Sequence, residues 1–280
     1  MKKRMANYLG GKPDYSKYPA GLSGFTGVDP HRIYLMEERE AHRSRIGNRG
    51  LYKTALAQLP NGNLIVTPCR HPHYPGAKVK GKFRLEIYIS SDEGKTWGKI
   101  ADGPEGKEPS LTALGDGTLI LTTQTPGEGL KVFRSEDSGI TWQRLNLPGE
   151  IEIHQPLSYP RSILKDPDDT VYLFISKGSY WEPSSPPGKG WVLISKDKGK
   201  SWQVKEVCVW EKGENFFEEI SIIRLPNKNL LATFRVSGNH MIEDIPPPRG
   251  LPTPEGDESG NFMLIMESED NGIHLSLIHI

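Results

Sequence analysis

Ser90-Ser91-Asp92-Glu93-Gly94-Lys95-Thr96-Trp97 returns as Ser135-Glu136-Asp137-Ser138-Gly139-Ile140-Thr141-Trp142 and again as Ser195-Lys196-Asp197-Lys198-Gly199-Lys200-Ser201-Trp202, so one pattern, S-x-D-x-G-x-[ST]-W, is written three times. Each copy follows a short apolar run of strand type: Leu85-Glu86-Ile87-Tyr88-Ile89, Lys131-Val132-Phe133-Arg134 and Trp191-Val192-Leu193-Ile194. That order places the pattern in the turn of a β-hairpin. The Asp carboxylate is suited to accept backbone N–H groups inside the loop, the Gly supplies a positive φ, and the hydroxyls tie the ends together. The Trp is expected to fold back as a packing plug. The motif is a stabilising clip, structural rather than catalytic.

A fourth copy starts at Ser268-Glu269-Asp270-Asn271-Gly272 and breaks off at Ile273-His274-Leu275, where a Thr and a Trp should stand. The aspartates are spaced by 45 (137 − 92), 60 (197 − 137) and 73 (270 − 197) residues. Such spacing is too variable for a tight solenoid and fits a β-propeller with loop insertions. Thirty glycines, 23 prolines and a near absence of helix-period segments agree with strands and turns.

Thirty-five Lys plus Arg balance 35 Asp plus Glu. No basic field exists to attract nucleic acid or a membrane surface, and neither is an expected partner. Cys69 and Cys208 are too few for a disulfide framework or a thiolate zinc site, so no metal and no cofactor are implied. The start, Met1-Lys2-Lys3-Arg4-Met5-Ala6-Asn7-Tyr8-Leu9, has positive charge without an apolar stretch after it. A cytoplasmic location is the expectation. Residues 1–45 read as an irregular arm, 46–274 as the propeller and 275–280 as an atypical tail.

Between the clips runs a weaker repeat of strand, tight turn, strand. Its lines open at Lys53 before Pro60-Asn61-Gly62, at Glu108 before Gly115-Asp116-Gly117, at Pro160-Arg161 before Pro167-Asp168-Asp169, and at Glu219 before Pro226-Asn227-Lys228. These are the two inner strands of each blade, and their opening residues fall at the central channel.

Clips and inner-strand lines together resemble the sialidase (neuraminidase) superfamily, in which the clip is the Asp box, or BNR repeat. The resemblance covers roughly residues 50–272. It implies an all-β, six-bladed sialidase-like β-propeller, present here as an incomplete arc of about four blades. It further implies an exo-sialidase-type glycoside hydrolase acting on terminal, acidic sugars of a glycan. One blade of that family opens with a Glu and places an Arg sixteen residues on, which is the spacing of Glu219 and Arg235. By resemblance, Glu219 polarises a nucleophilic Tyr and Arg235 grips the substrate carboxylate, the guanidinium fork matching it in two hydrogen bonds. The nucleophilic Tyr and the last family Arg would lie beyond residue 280.

Elsewhere the family pattern fails. The first-blade Arg falls on Tyr52, with Lys53 or Arg49 as stand-ins, and the loop that should carry an acid/base Asp offers Arg70, His71, His73 and Tyr74 instead. Arg70 and His71 are the catalytic candidates of this loop, a His there being suited to proton work near neutral pH. Tyr52, Lys53, Glu108, Arg161 and Trp181 are candidate substrate contacts; each reads equally as channel packing, a satisfied pair or a loop plug. Three functions remain open on sequence: a sialidase-like hydrolase, a non-catalytic propeller binding glycan or protein, and a polysaccharide lyase or other exo-glycosidase on the same scaffold.

Overall fold

The computed structural model describes residues 44–47, 51–70, 83–125, 129–149, 162–177, 188–210, 216–237, 262–272 and 276–277. Their strands form four antiparallel sheets of four, each a meander of consecutive strands. Sheet 1 holds β1 (Leu51–Gln58), β2 (Leu64–Arg70), β3 (Arg84–Ser90) and β4 (Gly98–Glu105). Sheet 2 holds β5 (Lys107–Ala113), β6 (Leu119–Thr125), β7 (Gly129–Ser135) and β8 (Gln143–Leu145). Sheet 3 holds β9 (Leu164–Lys165), β10 (Val171–Lys177), β11 (Gly188–Ser195) and β12 (Gln203–Trp210). Sheet 4 holds β13 (Phe216–Arg224), β14 (Leu230–Ser237), β15 (Phe262–Ser268) and β16 (Ser276–Leu277). This is the all-β propeller architecture expected from the repeats, with four blades among the described residues.

Side-chain alternation makes the blades stack. Leu119 and Leu121 of β6 point back to Ile65, Leu85 and Ile87 of sheet 1, whereas Ile120 between them joins Leu173, Ile175 and Trp191 of sheet 3. Phe174, between Leu173 and Ile175, turns the other way to Ile222 and Leu230 of sheet 4. Each of the three apolar clusters therefore fills one gap between consecutive blades. Inner strands buried on both faces read as continuous apolar runs, which is why Leu119-Ile120-Leu121 and Val171 to Ile175 show no polar alternation.

The inner hairpins share one turn. Leu59 N donates to Asn63 O at 2.8 Å, Leu114 N to Thr118 O at 2.8 Å, Asp166 N to Thr170 O at 2.9 Å and Leu225 N to Asn229 O at 2.8 Å. In each, an Asx side chain (Asn61, Asp116, Asp168, Asn227) accepts the N–H two residues on, at 3.0 to 3.1 Å.

The clips form as the residue types require. In the first, Ser90 Oγ donates to Asp92 Oδ1 at 2.7 Å, Gly94 N donates to Ser90 Oγ at 2.8 Å, and Thr96 Oγ1 donates to Asp92 Oδ2 at 2.6 Å. The truncated fourth copy keeps its front half, with Ser268 Oγ to Asp270 Oδ1 at 2.9 Å and Gly272 N to Ser268 Oγ at 2.7 Å. One feature of the turn exceeds the expectation. The residue before each Gly also takes a positive φ: Glu93 (60°), Ser138 (59°), Lys198 (62°) and Asn271 (62°). The Gly also has a second duty, because Gly139 lies against Ile65 and Ile87 of the preceding blade and Gly199 against Ile120. A Cβ there would come within 2.8 Å and 2.7 Å of those side chains.

The clip carboxylates give an acid signature. Asp92 is held at about 2, first by the Thr96 hydroxyl and then by the Thr96 N–H. For Asp137, burial pushes upward, yet the Thr141 and Ser135 hydrogen bonds outweigh it and leave the carboxyl below its ordinary value. A depressed folded pKa contributes stability that is present above the unfolded value of about 3.9 and lost as pH falls through the folded one. Asp92→Asn is therefore expected to lower the unfolding midpoint at pH 7, and the gap from the parent should close between about pH 4 and about 2. Thermal melts across that range check it; a gap that stays constant down to pH 2 would show that the charge is irrelevant to the clip.

Candidate functional site

The inner strands β1 and β5 lie side by side, and at their opening residues both break register. In β1, Tyr52 pairs with Cys69 and Thr54 with Pro68, so Lys53 is left out of the ladder. In β5, Lys107 pairs with Gln124 and Ser110 with Thr122, leaving Glu108 and Pro109 out. Proline has no N–H to give a ladder, and a bulge accommodates it. Sheet 4 repeats the device: Glu218 pairs with Arg235 and Ser221 with Thr233, so Glu219 falls inside the bulge. Lys53, Glu108 and Glu219 thus hold one structural position in three blades.

The two bulges of sheets 1 and 2 are strained and face each other. Lys53 has a φ of 43° and Glu108 a φ of 55°. Among the described residues, the other non-glycine positions with positive φ sit in tight turns or clips, whereas these two lie inside strands. Each such residue costs about 1–2 kcal/mol. The Glu108 side chain is 3% exposed and ion-paired with Lys53 Nζ, and Tyr52 Oη donates to the same Oε1 at 3.3 Å. The Lys53 ammonium also stands 5.2 Å from the Tyr52 ring centre. Burial, then the Glu108 charge, raises the Tyr52 phenol despite the opposing Lys53 hydrogen bond. Behind them Cys69 is fully buried, its Sγ 3.4 Å from Gly106 O. Burial, followed by Glu108, pushes that thiol to about 12, so it stays protonated and is no nucleophile.

Arg70 does not join this cluster. It follows Cys69 on β2 and so points to the opposite face of sheet 1. There its Nε and Nη2 donate to Glu86 Oε1 at 2.9 and 2.5 Å, while Tyr88 Oη donates to Oε2 at 2.6 Å. Burial raises the Glu86 carboxyl, but the Tyr88 and Arg70 hydrogen bonds more than offset that, leaving it lowered and ionised. Sequence reading passed over Glu86 and Tyr88; a charge set between Leu85 and Ile87 was the available signal.

The register sets Arg235 opposite Glu218, one residue from the Glu219 expected to work with it. His71, Arg161 and Trp181 lie outside the described residues. Among the described residues no group of three His, Cys, Asp or Glu stands close enough to hold a metal ion.

Comparison with known proteins adds two kinds of likeness. Residues 85–223, just under half of the chain, match the Sortilin-Vps10 family, described as sortilin, neurotensin receptor 3. The "Vacuolar protein sorting/targeting protein 10" of Aspergillus clavatus is 29% identical over 125 residues, covering 44% of this chain and 7% of that protein. Its namesake from Uncinocarpus reesii is 26% identical over 154 residues, covering 53% and 10%. The match therefore spans a tenth or less of these relatives. Among solved structures, a protein of unknown function from Dyadobacter fermentans has a TM-score of 0.60 at 21% identity, covering 82% of this chain and 69% of that one. The Penicillium chrysogenum alpha-L-arabinanase complexed with arabinobiose gives 0.56 at 19%, covering 82% and 66%. The Hadza microbial sialidase Hz136 gives 0.53 at 15%, covering 82% and 46%. At these identities the likeness establishes the propeller fold. The cytoplasmic location expected from the first residues is corrected here, because the sequence relatives are sorting and receptor proteins rather than cytoplasmic ones.

Proposed function

We propose that this propeller is a glycosidase acting on terminal sugars of a glycan, with the Tyr52, Lys53 and Glu108 cluster forming one wall of its sugar site. The observation that carries the reading is Glu108: a buried carboxylate kept in a strained bulge where β1 and β5 lie side by side. Strain of this kind persists where surrounding structure over-determines it, and it clusters at ligand-handling positions. Glycoside hydrolysis ordinarily uses a pair of carboxyl groups. Glu219, in the equivalent bulge of sheet 4, is the proposed second member. The fold neighbours support the reading, since they include an arabinanase holding arabinobiose and a sialidase. The narrower, sialidase-type version assigns Arg235 to a sugar carboxylate, as the resemblance implies.

The test is turnover of a panel of aryl glycosides by the parent, Glu108→Gln and Glu219→Gln. Removing a general acid or base is expected to lower kcat by about 10²–10⁴-fold, with the unfolding midpoint of each variant kept near that of the parent. Full turnover by both variants would exclude the carboxylates. A parent that binds sugars or peptides without turning over any glycoside would instead favour a binding propeller, the reading that the likeness to sorting and receptor proteins supports.

A further inference from the structure

We infer that the subsite formed by Tyr52, Lys53 and Glu108 takes a neutral, polyhydroxylated sugar and discriminates against an acidic one; this rests on the glycosidase reading above. A sugar carboxylate needs a cation whose charge is not already matched. Lys53, a stand-in for the family's carboxylate-binding Arg, and Arg70, the other sheet 1 cation among the catalytic candidates, are both matched by internal carboxylates. Lys53 is ion-paired with Glu108, itself buried at 3% exposure, and Arg70 is held by both Nε and Nη2 on Glu86, on the opposite face of the blade. At the position where the sialidase pattern has an Arg stands Tyr52, whose hydroxyl donates to the same Glu108 oxygen. An incoming carboxylate beside Lys53 would meet the charge of Glu108, which at 3% exposure is itself weakly screened by water.

A sugar hydroxyl meets the opposite situation. Each hydroxyl is at once donor and acceptor, so a neighbouring pair can accept from the ammonium or phenol and donate to the carboxylate. A matched Lys–Glu pair with an adjacent phenol supplies that mixed set and adds no net charge. The flanking aromatic ring of Tyr52, already carrying the Lys53 ammonium at 5.2 Å, gives the wall an apolar part for sugar C–H groups.

The experiment compares two ligand classes on the intact chain. Aryl glycosides of neutral pentoses and hexoses form one arm, and aryl glycosides of uronic acids and of sialic acid form the other. Affinity for the corresponding free sugars is measured by calorimetry. The parent is expected to prefer the neutral arm by ~10²-fold in kcat/KM, about 2.7 kcal/mol in transition-state terms. Glu108→Gln removes the carboxylate that Lys53 is paired with, so affinity for acidic sugars should rise about tenfold while neutral turnover is lost. A parent that prefers acidic sugars overturns the inference and leaves the glycosidase reading standing. Glu108→Gln with no gain for acidic sugars overturns it too, because Lys53 would then not face the ligand. Failure of every sugar in both arms removes the glycosidase reading itself, and the inference with it.

Discussion

Gly106→Ala is expected to be among the most damaging single-methyl changes available in this chain. Gly106 is the whole connection between β4, which ends at Glu105, and β5, which begins at Lys107, so one residue carries the chain from the outer edge of one blade to the inner strand of the next. Its φ is 143°, a region that L side chains rarely enter. A Cβ there would lie 2.3 Å from Thr123 Oγ1, 2.6 Å from Thr123 Cβ and 3.2 Å from the backbone oxygen of Gln124. Backbone strain and overpacking each cost about 1–3 kcal/mol, so a loss of about 3–5 kcal/mol follows, roughly 10 °C in the midpoint. Gly62→Ala is the control: its φ is 88°, but nothing lies within 4 Å of its Cβ position, so it should show the conformational part alone. The two midpoints measured side by side separate sterics from backbone. Equal shifts would mean the packing around Thr123 yields freely. Because Glu108 stands two residues on, Gly106→Ala should also impair the proposed sugar site.

What sequence alone made legible follows the length scale of each interaction. The clips and inner turns close within two to four residues, as in Ser90 to Asp92 and Asn61 to Asn63, so their chemistry is written in consecutive letters. The blade count among the described residues followed from them. The candidate site is held by contacts 55 and 56 residues apart, Lys53 and Tyr52 to Glu108. Lys53 and Glu108 were singled out as opening positions and Tyr52 as the place of the family Arg, and nothing local announced that Tyr52 and Lys53 would share the Glu108 carboxylate. Pro109 in a strand-like run was the one local sign of the bulge that frees Glu108 from the ladder. Arg70 was read with His71 as one group because they are adjacent in sequence. Strand alternation instead sends Arg70 to the face where Glu86 waits. The resemblance sets Glu219 and Arg235 on one ligand by a spacing of sixteen, and the spacing did not announce the bulge that puts Glu218 across from Arg235. A bulge adds one residue to the count on its strand, so register near it is not legible from spacing alone.

The clip tryptophans, uniform in sequence, should behave differently when replaced. Trp202 is 9% exposed and belongs to the apolar cluster between sheets 2 and 3, where its Nε1 is buried without a hydrogen-bond partner among the described residues. Trp142 is half-buried, and its Nε1 donates to Gly139 O at 3.0 Å, closing the clip on itself. Trp202→Ala removes a buried ring from a gap that Ile120 and Leu145 bound, and is expected to cost about 3–5 kcal/mol. Trp202→Phe keeps an aromatic in the gap and discards a buried unpaired donor, whose burial costs about 1–3 kcal/mol, so it should stay within ~1 kcal/mol of the parent. Trp142→Phe gives up a formed hydrogen bond and should cost about 1 kcal/mol. Equilibrium urea unfolding of the three variants checks the order. If Trp202→Phe proves as damaging as Trp202→Ala, the Nε1 group has a role in the fold that its surroundings do not show. If Trp202→Ala is mild, the plug does not hold the second and third blades together.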